Sequence, residues 1–110
     1  FKEDFMSLNI KSNYENDSNE WVVALNGELD ISCANKLKEE LYKAVDEKFA
    51  DVVIDMTNLE YIDSTGIGVL VGLMKKLRTD GKDIKISKAK DNVKRIFKIT
   101  GLDQIISMEG

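Results

Sequence analysis

The residues with the clearest potential for chemistry lie in one short glycine-rich segment, residues 63–68 (DSTGIG). Ser64 carries a hydroxyl group that can act as a nucleophile, accept a phosphoryl group or cap a helix. A glycine-rich turn before a helix can also hold a phosphate group, but this segment lacks both G-x-G-x-x-G and G-x-x-x-x-G-K-[ST]. Nucleotide binding is therefore a weak interpretation, and no cofactor is expected.

Histidine is absent from the chain, and Cys33 is its single cysteine. Ser–His and Cys–His catalysis are therefore excluded, and the commonest zinc ligand is missing. Carboxylate-only magnesium sites remain open, but we predict neither a metal site nor a catalytic residue. A small hydrolase with Ser64 as its nucleophile remains an alternative, which would need a lysine base such as Lys82. We interpret Cys33 as a small buried residue.

Size and charge restrict the class of protein. The chain has 110 residues, of which 43% are hydrophobic, and its formal net charge is −4. This predicts one domain over residues 1–110 with its own core. The negative charge argues against nucleic acid, which requires a basic face, and no apolar run is long enough to span a membrane. A lone cysteine is compatible with a reducing cytoplasm, where we expect the protein to be located.

The first half of the chain predicts a hairpin, a helix and a strand. Met6, Leu8 and Ile10 alternate with polar residues and predict a first strand, and residues 21–25 predict a second. Polar residues 13–20 form the tip between them, and a glycine at position 27 ends the second strand. A helix over residues 33–48 follows, with Ser32 as its N-cap. The apolar run at residues 52–54 predicts a central strand that is covered on both faces.

Three further elements are predicted in the second half. A helix over about residues 64–79 starts at Ser64, and alternation at residues 84–87 predicts a strand. Asp91 caps a third helix that ends at Gly101, and residues 105–106 add a last short strand. The order β-β-α-β-α-β-α-β predicts an α/β fold, with a mostly parallel mixed sheet of four to five strands and three helices.

A parallel arrangement of the second and third strands has a consequence for function. The loops that follow these strands, residues 27–30 and 63–66, would open at the same end of the sheet. In α/β proteins, the carboxyl ends of the strands are where ligands and partners usually bind.

The helix after Ser64 carries three glycines, although glycine inside a helix costs roughly 0.5–1 kcal/mol relative to alanine. This suggests that something approaches the backbone closely. On a helical wheel, one flat strip faces away from the core, and its members are Thr65, Gly68, Val69 and Gly72. We interpret this strip as a docking surface for another protein.

The same segment carries a family resemblance. Residues 63–70 (DSTGIGVL), with residues 53–56 (VIDM) before them and Gly72 after them, resemble the signature of the STAS domain, and more narrowly that of bacterial anti-sigma factor antagonists. Residues 27–30 (GELD) resemble the family's other landmark, and residues 97–102 (FKITGL) resemble its ending. The resemblance covers nearly the whole chain. The polar hairpin tip, residues 13–20, departs from it in length without affecting a functional residue.

This resemblance implies a non-enzymatic partner switch. The unphosphorylated antagonist would bind an anti-sigma factor that is also an ATP-dependent serine kinase, and so free the sigma factor. Phosphorylation of Ser64 would abolish binding, and a PP2C-type serine phosphatase would reverse it. An alternative is a STAS interaction module of another signalling complex. The predicted partner-binding residues are Asp30, Asp63, Ser64, Thr65, Gly66, Gly68, Val69 and Gly72.

Overall fold

An antiparallel hairpin opens the part of the chain that the computed structural model describes, residues 8–110. Strand β1 (Leu8–Glu15) pairs with strand β2 (Glu20–Leu29) along its whole length. The tip has only four residues, 16–19, and is shorter than predicted because the rings of Tyr14 and Trp21 pack edge to face at 5.4 Å and extend the hairpin. Met6, predicted in the first strand, lies outside the described residues.

Strand β2 continues beyond the glycine that was predicted to end it. Gly27 has a φ of 113° and stands at a register shift in the pairing with the third strand. This backbone conformation is open to glycine and strained for other residues, so the strand bends here instead of ending. Its last residue, Leu29, still pairs with Ile62 of the third strand.

The remaining elements follow in the predicted order. They are helix α1 (Ala34–Glu47), strand β3 (Asp51–Ile62), helix α2 (Ser64–Thr79), strand β4 (Ile84–Ser87), helix α3 (Asp91–Ile99), a short 3-10 helix (Leu102–Gln104) and strand β5 (Ser107–Glu109). The strands lie side by side as β1-β2-β3-β4-β5, and every neighbouring pair after the hairpin is parallel. The predicted α/β class, mixed sheet and element order are therefore confirmed.

Two of the predicted helix caps are wrong by one residue. Ser32 does not cap α1, because its hydroxyl donates to Asp30 Oδ1 at 2.6 Å, and the N-cap position is taken by Cys33. Asp91 is the first residue of α3 and follows the N-cap residue Lys90. Neither Cys33 nor Lys90 makes a side-chain capping bond, so the favourable cap types Ser32 and Asp91 do not decide at which residue these helices begin.

The sheet is buried mainly on one face. The crossovers from β2 to β5 all step in the same direction along the sheet, so right-handed connections place the three helices on one side. Val52 and Ile54 are buried on that side, whereas Val53, between them, is only half-buried. The prediction that residues 52–54 are covered on both faces is therefore wrong. No helix among residues 8–110 is long and apolar enough to cross a membrane.

Gly66 sets how closely α2 approaches the sheet. A Cβ atom at this position would lie 2.6 Å from Leu29 Cγ and 3.0 Å from Ile62 Cγ1. Both side chains are buried at the carboxyl ends of β2 and β3. The glycine therefore allows the first turn of α2 to pack directly on the strand ends.

Replacing Gly66 by alanine should destabilise the fold, because the new methyl group forces Leu29 or the helix to move. Overpacking of this kind costs about 1–3 kcal/mol. Gly68→Ala is the matched control in the same helix, since nothing lies within 4 Å of its added Cβ. It should leave stability unchanged or raise it by up to about 1 kcal/mol through helix propensity. Urea denaturation measures both variants, and equal stability of the two would contradict this account.

Candidate functional site

The carboxyl ends of β2 and β3 lie side by side and bring two loops together. Leu29 and Ile62 are register partners, and the backbone N–H of Asp63 donates to the carbonyl oxygen of Leu29 at 3.1 Å. The prediction that residues 27–30 and 63–66 meet at one end of the sheet is thereby confirmed.

Asp63, and not Ser64, caps helix α2. Its Oδ1 accepts hydrogen bonds from the backbone N–H groups of Thr65 at 3.0 Å and Gly66 at 3.1 Å. The hydroxyl of Thr65 donates to the same oxygen at 2.6 Å. The Thr65 hydroxyl and these N–H groups stabilise the charged form, and they hold the pKa of the Asp63 carboxyl below its ordinary value.

Asp63 also connects the two loops. The backbone N–H of Ile31, in the loop after β2, makes the smallest of the contributions that lower the pKa of this carboxyl. The firmer link is the backbone N–H of Asp63, which donates to the carbonyl oxygen of Leu29 at the end of β2. This places the predicted site residue Asp63 in a positioning role at the centre of the site.

Ser64 is the exposed first residue of α2. No hydrogen bond to any part of residues 8–110 restrains its hydroxyl. The neighbouring hydroxyls are engaged, because Thr65 donates to Asp63 and Ser32 donates to Asp30. The site thus presents one accessible serine hydroxyl at a helix N-terminus.

Asp30 organises the loop between β2 and α1. Its Oδ1 accepts from the backbone N–H of Ser32 at 2.9 Å and from the Ser32 hydroxyl, while its carbonyl oxygen accepts from the N–H groups of Cys33 and Ala34. The side chain is half-buried. This loop lies beside the start of α2, because Leu29, just before Asp30, accepts a hydrogen bond from the backbone N–H of Asp63.

A groove of about 510 Å³ runs between α1 and α2. Its α2 wall is formed by all four members of the predicted strip, Thr65, Gly68, Val69 and Gly72, and its α1 side by Ile31, Ala34, Asn35, Lys38 and Tyr42. Gly66, which is also in the predicted partner-binding set, is buried against Leu29 and does not line the groove. A small-residue floor between two helices gives a surface into which a protein segment can fit.

Two exposed apolar side chains near Ser64 were missed by the sequence reasoning. Ile31 has 77% of its surface exposed, and Tyr61, near the end of β3, has 48% exposed. The available signal was an isoleucine in a polar loop and a tyrosine three residues before Ser64. An exposed apolar side chain such as Ile31, which lines the groove, is typical of protein interfaces.

Lys82 does not support the alternative of a hydrolase. It follows Thr79, the last residue of α2, whereas Ser64 is the first. A helix of 16 residues is about 24 Å long. The lysine is therefore at the wrong end of the helix to take a proton from Ser64.

Comparison with known proteins gives a consistent result. The family model for the STAS domain matches residues 11–109. An anti-sigma-B factor antagonist from Staphylococcus aureus is 34% identical over 101 residues, which cover 92% of this chain and 92% of that protein.

Solved structures show the same fold. An anti-sigma factor antagonist from Mycobacterium paratuberculosis superimposes with a TM-score of 0.79 at 24% identity, covering 92% of this chain and 86% of that one. The Bacillus cell fate determinant SpoIIAA in its phosphorylated form has a TM-score of 0.69 at 19% identity, covering 91% and 90%.

The stabilising effect of Asp63 should depend on pH. Because the folded-state pKa of Asp63 is lowered, its carboxylate adds stability above the ordinary value of 3.8, and this contribution is lost as the pH falls through the lowered value. Asp63→Asn keeps a capping oxygen without the charge. Wild type should therefore be more stable than Asp63→Asn at pH 7, and the difference should shrink towards pH 3.

Urea denaturation across this pH range measures the difference. Asp55, whose pKa is also lowered by the Thr57 hydroxyl, is present in both proteins and cancels. Asp17→Asn, at the exposed hairpin tip, is the matched control and should show little effect at any pH. A gap between wild type and Asp63→Asn that stays constant with pH would show that geometry, and not charge, is responsible.

Proposed function

The chain belongs to the STAS domain family, and we propose that it is a cytoplasmic anti-sigma factor antagonist that acts by partner switching and not as an enzyme. Its unphosphorylated form binds an anti-sigma factor that is also an ATP-dependent serine kinase, which frees the sigma factor. The kinase phosphorylates Ser64 and the complex dissociates. A PP2C-type phosphatase restores the first form. The name of the Staphylococcus aureus relative supports the first step.

The observation that carries the proposal is the position of the Ser64 hydroxyl. It is exposed at the start of α2, where the groove between α1 and α2 opens at Thr65 and Ile31. A kinase can reach it without unfolding any element. The exposed side chain of Ile31, which lines this groove, provides apolar contact area for the same partner.

Thr65 is a poor phosphoacceptor by comparison. Its hydroxyl donates to the carboxylate of Asp63, the residue that caps α2. Phosphorylation there would replace the donated proton with a dianionic group against a carboxylate. It would also remove one of the bonds that hold the helix start.

Phosphate on Ser64 would remove the partner through local charge. The two loops at this end of the sheet, residues 27–30 and 63–66, contain three acidic residues and no lysine or arginine. The helix N-terminus tolerates the added charge of about −1.5 to −2 in the free protein. In a complex, the phosphate would lose water without a compensating cation, and burying an unpaired charge costs several kcal/mol.

We predict that Ser64 is the single residue that the cognate kinase phosphorylates. The anti-sigma factor is captured from the native bacterium on immobilised chain and purified, then incubated with the chain, ATP and magnesium. Phosphopeptide mapping should place the label on Ser64, and Ser64→Ala should take up none. Ser107→Ala, which removes an exposed serine in β5, is the control and should be labelled normally.

The same variants test the switch. Ser64→Ala should bind the anti-sigma factor in the presence of ATP. Ser64→Asp should weaken binding only partially, because it adds a single negative charge. Label on Thr65, Ser32 or Ser87, or a tight complex with the phosphorylated chain, would refute the proposal.

The groove should be required for binding. Gly72→Glu directs a long charged side chain into it, and its Cβ would meet only the Tyr42 hydroxyl, at 3.4 Å, which is an ordinary contact. We expect at least a tenfold loss of affinity, about 1.4 kcal/mol, with an unchanged amide spectrum. Gln104→Glu adds the same charge at an exposed position in the 3-10 helix and should bind as wild type. If calorimetry shows equal affinity for the two variants, the groove is not the surface that binds the anti-sigma factor.

A further inference from the structure

The end of the groove away from Ser64 is lined by Lys38 and Tyr42, and Lys76 lies beside it against the Tyr42 ring. We call these three residues the basic end. We infer that the basic end binds an acidic side chain on the segment of the anti-sigma factor that occupies the groove. This inference rests on the proposed function and specifies the partner's chemistry.

Two lysines share one tyrosine ring at the basic end. Lys38 Nζ lies 5.6 Å and Lys76 Nζ lies 5.2 Å from the centroid of the Tyr42 ring. Lys76 also forms an ion pair with the exposed Asp46 at 3.6 Å. Lys38 has no ion pair within residues 8–110. Lys38 is therefore the surplus cation at this end of the groove, the lysine without a carboxylate partner in the described part of the chain, whose full sequence has a net charge of −4.

The Tyr42 hydroxyl adds a third donor. It lies against Gly72, where it would meet an added Cβ at 3.4 Å. No acceptor among residues 8–110 takes its hydrogen bond. A carboxylate at this position would receive hydrogen bonds from ammonium and phenol groups and relieve the repulsion between the two lysines.

The two ends of the groove have opposite electrostatic character. The Ser64 end has the acids Asp30 and Asp63 and no basic residue in its loops, whereas the basic end carries the surplus cation. Ser64 and Gly72 are eight residues apart in α2, so the ends are separated by about 12 Å, or two helical turns. A partner helix with an acidic residue about two turns from the position that covers Ser64 would fit in one direction only. Such complementarity selects both partner and orientation.

Charge reversal at Lys38 tests the inference. The probe is the purified anti-sigma factor captured by wild-type chain. Lys38→Glu should weaken binding roughly tenfold or more, and Lys38→Met should lie between this variant and wild type. Lys36→Glu, an identical charge change at an exposed position of α1 outside the groove, is the matched control and should bind as wild type. The difference in affinity between Lys38→Glu and Lys36→Glu should become smaller as the salt concentration is raised from about 0.1 M to 1 M, because salt screens the charges.

Rescue identifies the contact. Each Asp or Glu of the anti-sigma factor is changed to Lys in turn, and one such variant should restore binding to Lys38→Glu. Equal binding of Lys38→Glu and Lys36→Glu, or no rescue by any variant, would overturn the inference while leaving the proposed function intact. If the wild-type chain captures no anti-sigma factor, both the inference and the proposed function are wrong. Sedimentation of the chain alone tests a second copy as the occupant, and self-association that Lys38→Glu abolishes would also overturn the inference.

Discussion

The carboxylate of Asp63 is the interaction on which the site depends. It receives the N–H groups that begin α2 and faces the N–H of Ile31 in the neighbouring loop. Its own backbone N–H bonds to the end of β2. One residue therefore fixes the helix start relative to both strands, through its side chain to α2 and its backbone to β2. Because the cap is provided by Asp63, the next residue, Ser64, is placed outside this network with its hydroxyl exposed.

The element order could be predicted because each element has a simple hydrophobic period. The ends of the elements could not. Residues 55–62 contain four polar and four apolar residues that do not alternate regularly, so the apolar pattern does not show that β3 continues to Ile62. Pairing with β2 holds these residues in the sheet. Asp63 and Ser64 are equally good N-cap types, and only the extended backbone of Asp63 shows which of them serves. The ends of these elements are therefore decided by the pairing of β3 with β2 and not by the preferences of single residues.

Only the α2 wall of the groove could be predicted from the sequence. The strip on α2 follows from a helical wheel, because four of its residues lie on a face that the core does not need. The opposite wall depends on how α1 packs against α2, which no single helix specifies. Lys38 and Tyr42 were missed for that reason. The burial of Gly66, which was predicted to bind the partner, could not be foreseen either, because its contact with Leu29 involves a strand more than thirty residues away. The three glycines of α2 thus have different surroundings. Gly66 packs against Leu29, Gly68 faces the open groove, and Gly72 lies against Tyr42.

The freedom of the Ser64 hydroxyl has a consequence for the lifetime of the protein. A side chain outside the hydrogen-bond network can be modified without breaking the bonds that begin α2, so the modification does not by itself open the backbone to proteases. Under the proposed switch, a difference in degradation between the two forms would then come from the bound partner, which protects only the unphosphorylated form.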